Sequence, residues 1–173
     1  MSLTSTSNTI NALGIFGRHD PELEKYFKSL SEKYSKYPDN DDAIGIFNHL
    51  SLVIGRDVPV GKMPLYIDLL RELKPFLPLK IAVTGIVIKD GKHIALSFDP
   101  NQIKEIRETA SMFLSDVVVK AYYQKVVWFV PEEKQEEVIN IIKKVKEMTY
   151  YDFILVANRQ DDANTIYSSN SYK

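Results

Sequence analysis

The chain has no cysteine and only three histidines among its 173 residues. Without cysteine it can form no disulfide, no thiolate nucleophile and no cysteine-ligated metal site. A small secreted domain more often carries disulfides, so their absence favours a cytoplasmic location. The three histidines show none of the close spacings of a zinc site, and we therefore expect neither a metal nor another cofactor.

The chain also lacks a marked excess of positive or negative charge, and it lacks long apolar runs. The formal net charge is −1, whereas a surface for a DNA duplex or a membrane usually needs a basic excess. We therefore expect no DNA duplex and no membrane as a partner, and any RNA contact has to be local. No apolar run is long enough to cross a bilayer. The opening residues lack the basic and apolar regions of a signal peptide, so we expect a disordered tail over 1–9 and a single domain over 10–173.

What is present is a regular succession of strand and helix patterns. Alternating and 3–4-residue apolar spacings predict the order β-α-β-α-β-β-α-β-α-β-β. Asp20 before a proline predicts the start of the first helix, and Asp90-Gly91 predicts a hairpin turn. A strand–helix–strand–helix–strand order occurs twice. We therefore expect an α+β fold with two pseudo-symmetric antiparallel-sheet lobes, helices outside and a central groove.

The stretch FNHLSLVIG, Phe47 to Gly55, reads as a strand that carries a histidine and a serine. Strict alternation places His49, Ser51 and Val53 on one face, and Leu50, Leu52 and Ile54 on the other. An imidazole can move a proton near neutral pH, and a hydroxyl can donate a hydrogen bond to a phosphoryl oxygen. On its own, however, a strand histidine is more often a half-buried structural residue.

The element order together with HLSL at His49–Leu52 resembles the two-histidine phosphoesterase superfamily, which includes bacterial 2′-5′ RNA ligase-like proteins and cyclic phosphodiesterases. The resemblance covers nearly the whole chain, from Ala12 to Tyr172. It implies two such motifs facing each other across a groove, with one histidine as base, the other as acid, and two hydroxyls holding the phosphate. The substrates it implies are 2′,3′-cyclic phosphates, 2′-5′ linkages or related nucleotide esters.

The second motif is expected on the strand YYQKVVWFV, which has no histidine. Alternation predicts that Tyr123, Lys125, Val127 and Phe129 face the groove, and that Val126, Trp128 and Val130 pack on the helices. Lys125 then stands in place of the second histidine and Val127 in place of the second hydroxyl. A lysine attracts a phosphate but donates a proton poorly unless its pKa is depressed. Tyr122 or Tyr123 is an alternative acid, although most strand tyrosines are packing residues.

The remaining candidates are weaker. His93 is interpreted as a strand-start histidine, because Ala95 stands where a hydroxyl residue is needed. His19 precedes a helix cap and is expected to be structural or exposed. Arg56 either reaches a phosphate at the groove rim or pairs with a nearby carboxylate. The acidic stretch over 39–45 lacks the glycine and glutamate of a calcium loop and is expected to be a solvated loop.

Two hypotheses of different classes follow. The first is a divergent phosphodiesterase that acts on a cyclic or 2′-5′ nucleotide or an RNA end, with His49 and Ser51 as catalytic residues. Lys125, Tyr123 and Arg56 would then bind the substrate. The second is a non-catalytic module that uses the same groove to bind a nucleotide, an RNA end or a protein. A groove without any ligand is a third alternative.

Overall fold

The computed structural model describes residues 8–37, 49–114, 117–159 and 162–168. Within these ranges the predicted order of strands and helices is confirmed. The strands are β1 (Thr9–His19), β2 (Leu50–Pro59), β3 (Leu79–Lys89), β4 (His93–Phe98), β5 (Tyr123–Val127), β6 (Glu147–Arg159) and β7 (Asp162–Ser168). The helices are α1 (Pro21–Tyr34), α2 (Met63–Leu73), α3 (Lys104–Phe113) and α4 (Glu132–Ile142).

Two sequence expectations fall at the edges of the described ranges. Most of the predicted tail and the acidic loop over 39–45 lie outside them, whereas Thr9 already belongs to β1. Phe47 also lies outside. The described part of the second strand begins at Leu50, so His49 stands in a bend directly before β2.

Local signals set the helix starts. The Asp20 carboxylate accepts a hydrogen bond from the Leu23 amide at 2.8 Å, which satisfies one of the free amides at the start of α1. Pro21 fits the first turn, where no intrahelical donor is needed. Glu22 and Glu24 lie in the same turn and suit the positive end of the helix dipole. The predicted start of this helix is therefore confirmed.

The strands form one continuous sheet in the order β2-β1-β6-β3-β4-β5, with β7 also paired to β6. Every strand pairing among the described residues is antiparallel. The strand β3 belongs to two halves of this sheet, because Leu79–Ala82 pairs with β6 and Val83–Lys89 pairs with β4. One lobe thus contains β1, β2, β6 and β7, and the other contains β4, β5 and the outer part of β3.

Each lobe carries two helices. The helices α2 and α3 contact each other, and they contact β6 and β2 respectively. The helices α1 and α4 contact the other lobe through β5 and β4. A shared core of fully buried side chains joins these layers, including Phe27, Leu69, Ile94, Val138 and Phe153. The predicted α+β fold, with two antiparallel lobes and helices outside, is confirmed.

The segment before β5 brings the two lobes together. The Val119 amide donates to the Leu52 carbonyl at 3.1 Å, and the Ile54 amide donates to the Val117 carbonyl at 3.0 Å. The free edge of β2 therefore runs beside the chain that leads into β5, which places the two candidate motifs on either side of one groove. Within the described residues, no helix has both the length and the apolar character needed to span a bilayer.

Candidate functional site

A β-bulge in β2 decides which side chains of the HLSL segment face the groove. Two consecutive residues of β1 pair with Val53 and Ser51, so Leu52 is an extra residue in β2. Leu52 and Val53 are consequently both buried, whereas Ser51 and Ile54 line a cavity. Strict alternation had placed Val53 in the groove and Ile54 with the leucines. That expectation was wrong, because the bulge reverses the faces beyond Ser51.

The strand β5 carries a second bulge of the same kind. Two consecutive residues of β4 pair with Val127 and Lys125, so Val126 is the extra residue. Val126 and Val127 are both fully buried, whereas Lys125 and Trp128 line the cavity. The prediction that Val127 faces the groove was therefore wrong, and Trp128, which was expected to pack on the helices, faces it.

The two bulges give a register for comparing the motifs. In each strand a cavity-facing residue is followed by a bulged residue, a second buried residue and another cavity-facing residue. This register matches Lys125 with Ser51. Two residues earlier it matches Tyr123 with His49. Strict alternation had instead aligned Lys125 with His49, which lies two residues before Ser51.

The cavity has a volume of about 240 Å³. Its lining comes from β2 and the bend before it and from residues 119–128; the lining residues are His49, Ser51, Ile54, Val119, Ala121, Tyr123, Gln124, Lys125 and Trp128. Four of the five residues selected from the sequence thus line one cavity. The fifth, Arg56, lies near the far end of β2 and lines a different cavity with Lys62 and Tyr66.

A buried polar chain lies beneath the cavity and reaches its lining at Gln124. The Tyr150 hydroxyl donates to the Gln124 side-chain oxygen, and the Gln124 amide nitrogen donates to Nε2 of His19. All three side chains are at most 3% exposed. Burial raises the pKa of Tyr150 well above its usual value, which keeps its hydroxyl protonated as the donor. Sequence reasoning did not select Gln124, because alternation puts it on the opposite face of the strand from Lys125.

His19 lies close to His49. Its ring stacks on Tyr150 at a centroid distance of 4.6 Å, packs against Phe27 at 5.3 Å, and lies 6.4 Å from the His49 ring. His19 was expected to be either structural or exposed, and the structure shows that it is buried. Its proximity to His49 had no sequence signal, because the two histidines meet only when the end of β1 lies beside the start of β2.

Positive charge collects on the β5 side of the cavity. The Lys125 ammonium lies 4.5 Å from the centre of the Trp128 ring and 3.6 Å from an Asp90 carboxylate oxygen. Lys89 places its ammonium 4.4 Å from the centre of the Tyr123 ring. The cavity therefore combines hydrogen-bonding groups near β2 with cations near β5, an arrangement suited to an anionic ligand. No group of three or more potential metal ligands occurs among the described residues.

His93 starts β4, as predicted, and takes part in the packing behind the cavity. Its Nδ1 accepts a hydrogen bond from the Phe129 amide at 3.1 Å, and its ring packs on Trp128 at 4.6 Å. Burial, followed by the charges of Lys125 and Lys92, lowers the His93 pKa from 6.5 to about 4, against a smaller opposing effect of Asp90. The imidazole is therefore neutral near pH 7 and acts as an acceptor.

This shift predicts a loss of stability in mild acid. The unfolded chain takes up a proton on His93 as the pH falls below 6.5, whereas the folded chain resists it until about pH 4. Across that window the free energy of unfolding should fall by up to about 1.4 kcal/mol per pH unit from this group. His93→Asn, which keeps an acceptor for the Phe129 amide, should show a shallower decline. Urea unfolding of both proteins across the window checks this, and equal slopes would contradict it.

Comparisons with known proteins bear on the fold. No protein-family model matches the chain, and no curated protein sequence does. The crystal structure of LigT from E. coli in complex with phosphate matches over 93% of this chain and 96% of that chain, with a TM-score of 0.51 and 10% sequence identity. At that identity the match establishes the fold alone. The chain thus shares the overall fold of LigT.

Proposed function

We propose that the cavity binds the phosphate of a nucleotide or an RNA end, and that the chain is a divergent two-histidine phosphoesterase-like protein. Hydrolysis of cyclic or 2′-5′ phosphodiesters is slow in this proposal. The observation that carries it is the pair of matched bulges, which leave His49 and Ser51 at the start of β2 and Tyr123 and Lys125 on β5 facing the same cavity.

The lining suits a phosphate group. The His49 ring and the Ser51 hydroxyl can donate hydrogen bonds to phosphoryl oxygens, and Lys125 adds a positive charge with three donors. The volume of about 240 Å³ is below the roughly 300–1,000 Å³ of sites that enclose a whole drug-sized ligand. A phosphate with its sugar fits this size better than a complete nucleotide, so the base would lie outside.

The same residues explain why turnover would be slow. His49 supplies one partner for acid–base catalysis, but Tyr123 holds the matching position on β5. A phenol is a weaker proton donor than an imidazolium at neutral pH. Lys125 holds the position matched to a hydroxyl, and its charge attracts the phosphate already in the ground state. Binding that is equally strong in the ground and transition states does not raise the rate of the chemical step.

The alternative is a binding module without any turnover, on the same fold and with a nucleotide, an RNA end or a protein as its ligand. The lack of an imidazole on β5 favours it.

In both forms we expect no metal cofactor. A cytoplasmic location belongs to the same proposal, since a chain without cysteine gains no disulfide from an oxidising compartment.

An assay that compares the turnover rate of the wild-type chain with that of His49→Ala distinguishes slow catalysis from no catalysis. Arg56, in its separate cavity, is not needed for either form.

Binding is tested with two substitutions on opposite sides of the cavity. Lys125→Met should weaken the affinity for 2′,3′-cyclic and linear nucleotides about 10- to 100-fold, the loss typical of a charge-assisted hydrogen bond. His49→Ala should weaken it by up to about tenfold, the loss typical of a neutral one. Calorimetry with a panel of these nucleotides gives the dissociation constants, and thermal unfolding checks that both variants fold.

Lys143→Met is the matched control, because this lysine contacts Asn140 at the end of α4 and does not line the cavity. It should bind as the wild type does. Unchanged nucleotide binding in Lys125→Met and His49→Ala would overturn the proposed site. Unchanged binding together with a large loss of stability in His49→Ala would make His49 a structural residue.

A further inference from the structure

The hairpin between β3 and β4 presents a carboxylate beside the cavity. Asp90 and Gly91 both have positive φ angles, 54° and 68°, and the Lys92 amide donates to the Lys89 carbonyl at 3.1 Å. These features match a type I′ turn over residues 89–92, whose backbone conformation suits aspartate followed by glycine. The turn therefore has a defined shape, with Asp90 at its tip.

The tip is also fixed from below by the segment that follows β5. The Val130 amide donates to the Lys92 carbonyl at 2.8 Å. The Gln135 side-chain amide donates to the Gly91 carbonyl at 2.8 Å and to the Val130 carbonyl at 3.1 Å. The backbone on the C-terminal side of Asp90 is thus tied to the start of α4, which holds the Asp90 carboxylate near the cavity.

Asp90 is the ion-pair partner of the cavity lysine. Its carboxylate lies 3.6 Å from the Lys125 ammonium, and the Asp90 side chain is 64% exposed while that of Lys125 is 22% exposed. An ion pair this open to water contributes little to folding, typically about 0–1 kcal/mol. Its effect on the cavity is larger, because it places a negative charge where an anionic ligand has to approach Lys125.

We propose that Asp90 is a specificity residue that weakens the preference of the cavity for phosphomonoesters over phosphodiesters. This inference rests on the proposed function. Alone, Lys125 would favour a monoester, which carries close to two negative charges at neutral pH, over a diester, which carries one. The adjacent carboxylate reduces that preference, because its repulsion also grows with the charge of the ligand. A 2′,3′-cyclic or 2′-5′ diester then competes better with the monoester formed from it than it would without Asp90.

The size of the effect follows from Coulomb's law. For a separation of roughly 6 Å and an effective dielectric constant of about 40–80, each ligand charge changes the affinity about three- to tenfold. Removing the carboxylate should therefore strengthen monoester binding about three- to tenfold more than diester binding, because the monoester carries one more negative charge. High salt should reduce the difference, since both the residue and the ligand are accessible to ions.

The test compares 2′,3′-cyclic AMP with 3′-AMP, which share base and sugar but differ by one charge at about pH 8. Calorimetry at low ionic strength gives both dissociation constants for the wild type, Asp90→Asn and the control Asp68→Asn. Asp68 is similarly exposed, pairs with Arg71 on α2 and does not line the cavity. We expect Asp90→Asn to shift the affinity ratio about three- to tenfold towards 3′-AMP, and Asp68→Asn to leave it unchanged.

Each outcome has a distinct meaning. An equal change for both nucleotides in Asp90→Asn, or no change, would overturn the role of Asp90 while leaving the proposed binding site intact. A shift of the same size in Asp68→Asn would also overturn it, because the cause would then be net charge. If neither nucleotide binds to the wild type or to Asp90→Asn, it is the proposed function that fails.

Discussion

The double variant Tyr123→His with Lys125→Thr is expected to hydrolyse 2′,3′-cyclic mononucleotides about 10²- to 10⁴-fold faster than the wild-type chain. The matched bulges place these two positions opposite His49 and Ser51 in the same cavity. The variant would thus present a histidine and a hydroxyl from each strand. The expected gain is the usual contribution of one general acid or base, to which the new hydroxyl adds a hydrogen bond for the developing charge.

The matched control is Lys125→His with Val127→Thr, the substitution that strict alternation would select. Val127 is fully buried and does not line the cavity. A threonine there would bury its hydroxyl in an apolar environment, so we expect a loss of stability and no gain in turnover. Adding His49→Ala to the Tyr123→His, Lys125→Thr variant should abolish the gain, because the reaction again lacks one of its two imidazoles.

Cleavage of the cyclic phosphate is followed by chromatography under single-turnover conditions, with nucleotide binding measured in parallel. No gain in the restored variant despite retained binding would mean that the bulge register does not match the catalytic positions. Efficient hydrolysis by the wild-type chain would contradict slow turnover, and a further loss in Tyr123→Phe would then identify Tyr123 as the proton donor.

Much of the fold could be predicted because its signals are local. Asp20 with the following proline sets the start of α1, and Asp90-Gly91 sets the β3–β4 turn, each within a few residues of the chain. Apolar spacing then gives the order of the strands and helices. The duplicated order of these elements indicated two lobes, and the antiparallel sheet with two helices on each lobe agrees with it.

The site could be predicted only up to the bulges. His49, Ser51, Tyr123 and Lys125 precede the extra residues in their strands, so alternation placed all four correctly at the cavity. Beyond those residues it failed, and Trp128 and Val127 exchanged their expected sides. A bulge depends on how a strand pairs with its neighbour, and the sequence of one strand does not reveal that pairing.

The polar chain beneath the cavity could not be predicted, because its contacts join distant parts of the sequence. Gln124 lies 105 residues from His19 and 26 from Tyr150. The position of Gln124 between Tyr123 and Lys125 gives no sign of these partners. Its burial at 3% exposure is tolerated because its amide oxygen accepts from one partner and its amide nitrogen donates to the other.

Gln124→Met is expected to lower the free energy of unfolding by about 2–5 kcal/mol. Methionine fills a similar volume but leaves both the His19 Nε2 and the Tyr150 hydroxyl without this partner. Each buried group that loses its hydrogen bond costs about 1–3 kcal/mol. Among the described residues the hydroxyl then keeps only the Met148 sulfur at 3.5 Å, which is a weak acceptor. Urea unfolding of the wild type and the variant measures the difference.

A double-mutant cycle shows whether the loss comes from the polar chain itself. Tyr150→Phe alone leaves the Gln124 oxygen without its donor, whereas Gln124→Met with Tyr150→Phe removes both ends of that hydrogen bond. The double variant should therefore lose less stability than the sum of the two single variants, by about 0.5–3 kcal/mol. Tyr37→Phe removes the hydroxyl of a side chain that is half exposed and should change stability by less than about 0.5 kcal/mol. Strict additivity, or a cost for Gln124→Met no larger than that of Tyr37→Phe, would mean that the chain of hydrogen bonds beneath the cavity does not stabilise the fold.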